Sequence, residues 1–146
     1  MISRAKDLLL TLSIPFLFSL SGSHTAAQVP PNDECAGATL ITQLPFSLSQ
    51  DTRLATANPG GPYLPCADGG GGKTVWFTYT PPKEEFIRFT TAGSTPASYD
   101  IAMGLFAGTC DSLQLIDCND DLKYGEIRYS EIGPVRIRGG VIYYRV

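Results

Sequence analysis

Short runs of alternating or β-branched residues, each stopped by glycine, proline, aspartate or asparagine, set the rhythm of this chain. Thr39-Leu40-Ile41-Thr42 predicts a first strand, and after Pro45 the alternation of Phe46-Ser47-Leu48-Ser49 suits a second, half-buried one. A further short strand is expected over 52–56. Val75-Trp76-Phe77-Thr78-Tyr79-Thr80 is the strongest strand signal, halted by Pro81-Pro82, and Phe86-Ile87-Arg88-Phe89-Thr90-Thr91 is the next, turned by Ala92-Gly93-Ser94. Runs over 99–106, 113–117, 126–132, 135–137 and 141–146 complete the series. Between them, 58–72 holds three prolines, six glycines and Cys66, the composition of a long surface loop pinned by a disulfide. No helical period follows residue 27. Brief strands with regular turn signals predict an all-β chain, an antiparallel β-sandwich or jelly roll.

The N-terminus follows a different rule. Arg4 and Lys6 precede an apolar run over 8–20, and a small-residue stretch closes on Ser23-His24-Thr25-Ala26-Ala27, which is signal-peptide architecture with cleavage expected after Ala27. At about 13 residues the run falls short of the roughly 20 that a membrane-crossing helix needs. The expectation is therefore a leader (1–27), an extended arm (28–34) built on Val29-Pro30-Pro31-Asn32-Asp33, and one disulfide-stapled domain (35–146), with no membrane span in the mature form. The compartment implied is extracellular or the cell envelope.

Cleavage changes the chemistry. It removes His24, the chain's one histidine, and takes Arg4, Lys6 and Asp7 from totals of 11 basic and 14 acidic residues, which leaves nine and thirteen. The mature charge of about −4 and the lack of a basic patch argue against nucleic acid. Cys35, Cys66, Cys110 and Cys118 all survive, an even number that predicts two disulfides in an exported chain. Three pairings are open; sequence proximity favours Cys35–Cys66 with Cys110–Cys118. Zinc would want closer paired spacings than these.

Several segments together carry a family resemblance: Pro31-Asn32-Asp33-Glu34-Cys35, Thr74-Val75-Trp76-Phe77-Thr78-Tyr79 with Pro81, Tyr99-Asp100-Ile101, Phe106-Ala107-Gly108-Thr109-Cys110, Cys118-Asn119-Asp120-Asp121, and the closing Tyr143-Tyr144-Arg145-Val146. In this order they resemble bacterial exported domains similar to the pre-peptidase C-terminal domain, over nearly all of the mature chain. The resemblance implies a β-sandwich accessory module without catalysis of its own, associated with secretion, with binding of polymeric substrates and, in some members, with calcium. Such modules often sit beside a catalytic domain or a sorting tail, and neither is found in this sequence.

Each candidate constellation has a structural alternative. Ala67-Asp68-Gly69-Gly70-Gly71-Gly72-Lys73-Thr74 satisfies a relaxed phosphate-loop pattern, but that mechanism needs a strand before the loop and a helix after it. Pro65-Cys66 precedes it and a strand is expected next, so no nucleotide partner is expected. Asp117, Asn119 and Asp121 alternate like the first ligands of a calcium loop, with Asp100 or Asp120 able to join from neighbouring turns. Leu122 and Arg128 stand where an EF-hand requires glycine and glutamate; the alternative is a hairpin tip in which these side chains cap backbone donors. Calcium is the one cofactor under consideration. Trp76, in the most apolar strand, reads as core, and so does one of Tyr143 and Tyr144, because strand neighbours face opposite ways. Tyr63, in the glycine and proline loop, is the best exposed candidate for ligand contact, ahead of Tyr79, Tyr99, Tyr124 and Tyr129.

Catalysis finds little support. A serine nucleophile lacks a base once His24 is gone, Lys73, Lys83 and Lys123 show no Ser-x-x-Lys arrangement, and disulfide-bonded cysteines are not nucleophiles. Two facing carboxylates could hydrolyse a glycoside, yet thirteen acidic residues make some such pair inevitable. The sequence therefore predicts a non-catalytic module for adhesion, polymer binding or surface assembly, with an extracellular polymer or cell-surface component as partner. A calcium-stabilised structural module and a small carboxylate-dependent carbohydrate hydrolase are the alternatives.

Overall fold

The computed structural model of the chain describes residues 28–57, 61–67, 72–96 and 99–145. The expected leader over 1–27 lies outside them, as do stretches of the glycine-rich loop. Among the described residues the fold is all-β: seven strands, one 3-10 turn at Cys35–Gly37, and no α-helix. No helix is long and apolar enough to cross a membrane.

The strands are β1 (Thr39–Ile41), β2 (Phe77–Tyr79), β3 (Glu85–Thr90), β4 (Met103–Thr109), β5 (Ser112–Asn119), β6 (Glu131–Ile137) and β7 (Tyr143–Arg145). Five of them form one sheet in the order β1-β2-β7-β4-β5, and β3 pairs with β6 in a second. All pairings are antiparallel except β1 with β2, which runs parallel from Thr39 opposite Phe77 to Ile41 opposite Tyr79. That pair departs from the purely antiparallel expectation. It is possible because the long segment from 42 to 76 supplies the crossover that parallel neighbours require.

Alternation decides what is buried. Ile41 of β1, Phe77 and Tyr79 of β2, Ile87 and Phe89 of β3, Met103 and Leu105 of β4, and Ile132 and Ile137 of β6 meet in one core, so both sheets contribute to it. The residues between them face the other way. Phe106 and Trp76, the latter 1% exposed, bring their rings to 6.3 Å on the far side of the larger sheet, where the loop residue Leu64 is also buried. Gly104 lies beneath Leu64, where any Cβ would collide with that side chain. Burying Trp76 and Phe106 contributes about 2 to 3 kcal/mol each.

Three predicted elements differ. Phe46-Ser47-Leu48-Ser49 alternates correctly but has no strand beside it; it is irregular, with Phe46 and Leu48 exposed. Residues 52–56 form a turn closed by the Ala55 amide on the Thr52 carbonyl at 3.0 Å, and only Ala57 makes a bridge, to Lys73. The runs expected at 126–132 and 135–137 merge where they meet, because β6 passes straight through Gly133 and Pro134. Proline is tolerated there since β6 belongs to a two-stranded sheet and leaves one edge unpaired. Gly133 adopts φ +113° at this irregularity, with a Cβ position only 2.6 Å from the Ile87 carbonyl oxygen, so glycine is required.

The 28–34 segment is not an extended tether. The Asp33 amide bonds the Pro30 carbonyl at 3.1 Å, and Pro30, Asn32 and Asp33 are buried. The disulfide pairing favoured by proximity is also wrong: Cys35 joins Cys110, and Cys66 joins Cys118, with Cα separations of 5.7 and 6.0 Å. Cys110 sits in the turn between β4 and β5, and the sheet carries that turn back to the 3-10 turn at Cys35. Two such bonds belong to an oxidising compartment outside the cytosol.

Peptide mapping of the oxidised, non-reduced protein should recover Cys35 linked to Cys110 and Cys66 linked to Cys118. A Cys35–Cys66 peptide would contradict the fold. The Cys35→Ser/Cys110→Ser double variant opens a 75-residue separation, and denaturant unfolding should show a loss of about 4 kcal/mol. A second prediction concerns Tyr79, whose hydroxyl donates to Glu85 at 2.6 Å. Burial, reinforced by that bond, pushes its phenol from 10.0 up to about 12. A raised value means that the stability it contributes is whole below about pH 10 and fades as pH climbs towards 12. Tyr79→Phe should cost about 1.5 kcal/mol at neutral pH. Its thermal midpoint should also fall less steeply than the wild type's between about pH 10 and 11.5.

Candidate functional site

An open groove of about 1550 Å³ lies among the described residues. Its lining includes buried Leu64 and Trp76 together with Phe77, a member of the shared core. Its rims come from residues 46–53, the loop carrying Tyr63, the stretch 90–96 at the end of β3 and beyond it, and the stretches 99–102 and 120–128.

The first rim is the segment whose alternation predicts a strand it does not form. Phe46 places its ring edge-on to Phe77 at 6.3 Å, and Gln50 exchanges amide hydrogen bonds with buried Asn32. Asp51 accepts from the Arg53 amide at 3.0 Å and pairs with both Nε and Nη2 of the same arginine, the closest contact being 2.6 Å. The Arg53 guanidinium holds the Asp51 carboxyl down at about 2 and in return raises its own value. Both side chains are exposed, so the pair shapes the rim more than it stabilises the fold. Thr52 Oγ1 lies 3.3 Å from Tyr99 Oη and joins this rim to the one opposite.

Tyr63 is 71% exposed, as its loop composition predicts, and it lines the groove. Tyr124 is more exposed still, at 89%, and lines the same groove with Tyr99. Tyr124 sits at the tip of a turn closed by the Lys123–Glu126 ion pair at 2.6 Å, with Gly125 at φ +71°. Its signal in the sequence is Lys123-Tyr124-Gly125-Glu126, a charged and glycine-bearing tip, which is weaker than the run of prolines and glycines around Tyr63. Trp76 is core, as expected, and the side chains of Tyr143 and Tyr144 lie outside the described residues.

The five residues considered for calcium divide. Asp100, Asp120 and Asp121 line the groove; Asp117 and Asn119 do not. Asp117 lies on β5, where its carboxylate accepts the Cys118 amide at 2.9 Å. Asn119 is occupied at both ends, accepting from the Glu131 amide at 2.9 Å and donating to the Asp121 carbonyl at 3.2 Å. Asp100 pairs with Arg128 at 2.9 Å. Asp121 accepts from the Gly125 amide through Oδ2 at 3.0 Å, while its Oδ1 is buried and accepts no hydrogen bond among the described residues. No three histidine, cysteine, aspartate or glutamate side chains among the described residues converge as a metal centre. The set as a whole therefore does not fit one cation, and among the five only Asp121 has a buried oxygen without a hydrogen bond.

The phosphate-loop pattern has no helix behind it. Lys73 bridges Ala57 and the chain runs on into β2, while residues 68–71 lie outside the described residues. Compared with known protein families, with curated proteins and with solved structures, the chain matches none.

Proposed function

We propose that the protein is a secreted, non-catalytic β-sandwich module of the kind its sequence resembles, and that it holds an extracellular polymer in the groove between Tyr63, Tyr99 and Tyr124. The observation that carries this reading is the placement of two highly exposed tyrosines on one groove whose floor is built from buried Trp76 and Leu64. Exposed rings beside a rigid floor offer flat, amphipathic faces to a chain-like ligand, and their edges carry hydroxyls. The two β-sheets sharing one core, the paired cysteines and the leader pattern support a sandwich built for life outside the cell.

Hydrolysis is the weaker alternative. A glycosidase needs one carboxyl kept protonated as acid. In this groove Asp51 is shifted in the opposite direction by Arg53, and Asp100 is tied to Arg128. A calcium-stabilised module is a second reading, favoured by the buried, unbonded Oδ1 of Asp121.

Co-sedimentation with a panel of insoluble polysaccharides and with purified cell envelopes should retain the wild-type protein. Tyr124→Ala should weaken retention about tenfold, the loss of roughly 1.4 kcal/mol of contact, with little change in thermal midpoint because the ring is exposed. Retention on nothing, together with measurable release of sugars, would move the assignment to the hydrolase. For the calcium reading, a bound cation should raise the thermal midpoint over that measured in chelator, by mass action, and Asp121→Asn should abolish the difference. Equal midpoints would leave the groove turn without a metal role.

A further inference from the structure

We infer that the groove selects an uncharged polysaccharide over an acidic one, which deepens the polymer-binding reading and rests on it. The groove disposes of most of its own charge internally. Its two arginines are already committed inside it, Arg53 to Asp51 through two nitrogens and Arg128 to Asp100 at 2.9 Å. Lys73 is the remaining basic side chain of the described lining, set against Asp120 and Asp121.

An acidic polymer gains affinity by neutralising its charges on free cations and releasing the counterions it carried. Here it would meet four carboxylates against three cations among the lining residues, with two of the cations screened by their partners. Exposed ion pairs do open readily. Opening either one, however, turns an aspartate loose beside the incoming acid, and like charges brought together oppose binding. The groove therefore gives back what a polyanion would gain.

An uncharged sugar chain meets no such conflict. Its hydroxyls can donate to carboxylate lone pairs that the guanidinium groups leave open, and accept from guanidinium N–H groups that point away from the aspartates. Its C–H faces can lie on the exposed rings of Tyr63 and Tyr124. Ion pairs that repel an acid thus serve as planar hydrogen-bonding plates for a neutral ligand. Binding of this kind is insensitive to salt, since no counterions are exchanged.

Affinity electrophoresis of the intact, oxidised protein separates the possibilities. Gels carry either a soluble uncharged polymer (mixed-linkage β-glucan, glucomannan or xyloglucan) or an acidic one (polygalacturonate or alginate), at low and at high salt. The expected result is retardation by at least one uncharged polymer, unchanged by salt, and about tenfold weaker in the Tyr63→Ala/Tyr124→Ala variant. The Asp51→Asn/Asp100→Asn variant, which frees both guanidinium groups, should gain salt-sensitive retardation by the acidic polymers. Stronger wild-type retardation by an acidic polymer that vanishes with salt would overturn this inference and leave polymer binding in place. Retardation by no polymer of either kind, with no retention on the insoluble panel, would overturn both. Retardation that ignores the tyrosine substitutions would overturn the placement of the ligand in this groove.

Discussion

The buried Asn32–Asp33 pair is the constraint on which the rest of this structure depends. Three of the five strands in the larger sheet, β1, β2 and β7, are three residues long, and such strands contribute few ladder bonds of their own. Asn32 supplies what they lack. Its carbonyl accepts the Trp76 amide at 2.8 Å and its side-chain amide donates to the Trp76 carbonyl at 2.9 Å, beside the Thr39 amide on the same oxygen at 3.0 Å. The peptide that leads into β2 is thereby fixed between the N-terminal turn and β1. Asp33, 7% exposed, places both carboxylate oxygens on Thr56, on its amide at 2.6 Å and its hydroxyl at 2.7 Å. A carboxylate this buried is tolerable only while those bonds are made, since leaving it unsatisfied costs at least about 1 to 3 kcal/mol. The node therefore specifies one position for the segment that closes the parallel pair, and two residues later Cys35 makes that position covalent.

What can be read from the sequence follows a simple physical division. Strands whose alternation matches a partner are legible: the runs around Phe77, Phe86 and Leu105 each become strands at nearly the expected place, because one face of each meets the shared core. Phe46 to Ser49 has the same alternation and no partner, and alternation alone cannot say whether a neighbouring strand exists. Cysteine pairing is illegible for a related reason. Loop-closure entropy rises only as the logarithm of loop length, so a 75-residue separation costs only about 2 kcal/mol more than a short one, which tertiary packing can override. Strand order decides instead, and strand order is a property of the whole chain.

The candidate site divides along the same line. The exposure of Tyr63 is legible because glycine and proline keep its loop at the surface. Asp117 and Asn119 look like alternating ligands only while their two-residue spacing is read as a loop. They are instead consecutive same-face residues of β5, roughly 6.8 Å apart along an extended chain, and each is already bonded to backbone. Asp121 escapes this because β5 ends at Asn119, and the turn beyond it can point a carboxylate elsewhere. The groove itself has no sequence signature, since its rims come from segments that only the fold brings together.

The second disulfide explains how an irregular surface can nonetheless be a defined one. Cys66 lies three residues after Tyr63, and its partner Cys118 lies at the end of β5, immediately before the turn that carries Asp120, Asp121 and Tyr124. One covalent bond thus fixes two rims of the groove relative to each other. Hydrogen bonds complete the frame: Ser130 Oγ bonds the Ile101 carbonyl and also the Asp120 carbonyl, the latter at 2.6 Å, locking the 99–102 stretch to the same turn. Loops held this way lose less freedom when a ligand binds, so weak contacts to a few exposed rings can yield a useful affinity. The scarcity of regular pairing near the groove and the concentration of cross-links around it are then two sides of one design, in which covalent and buried polar ties do for the groove what long strands do elsewhere.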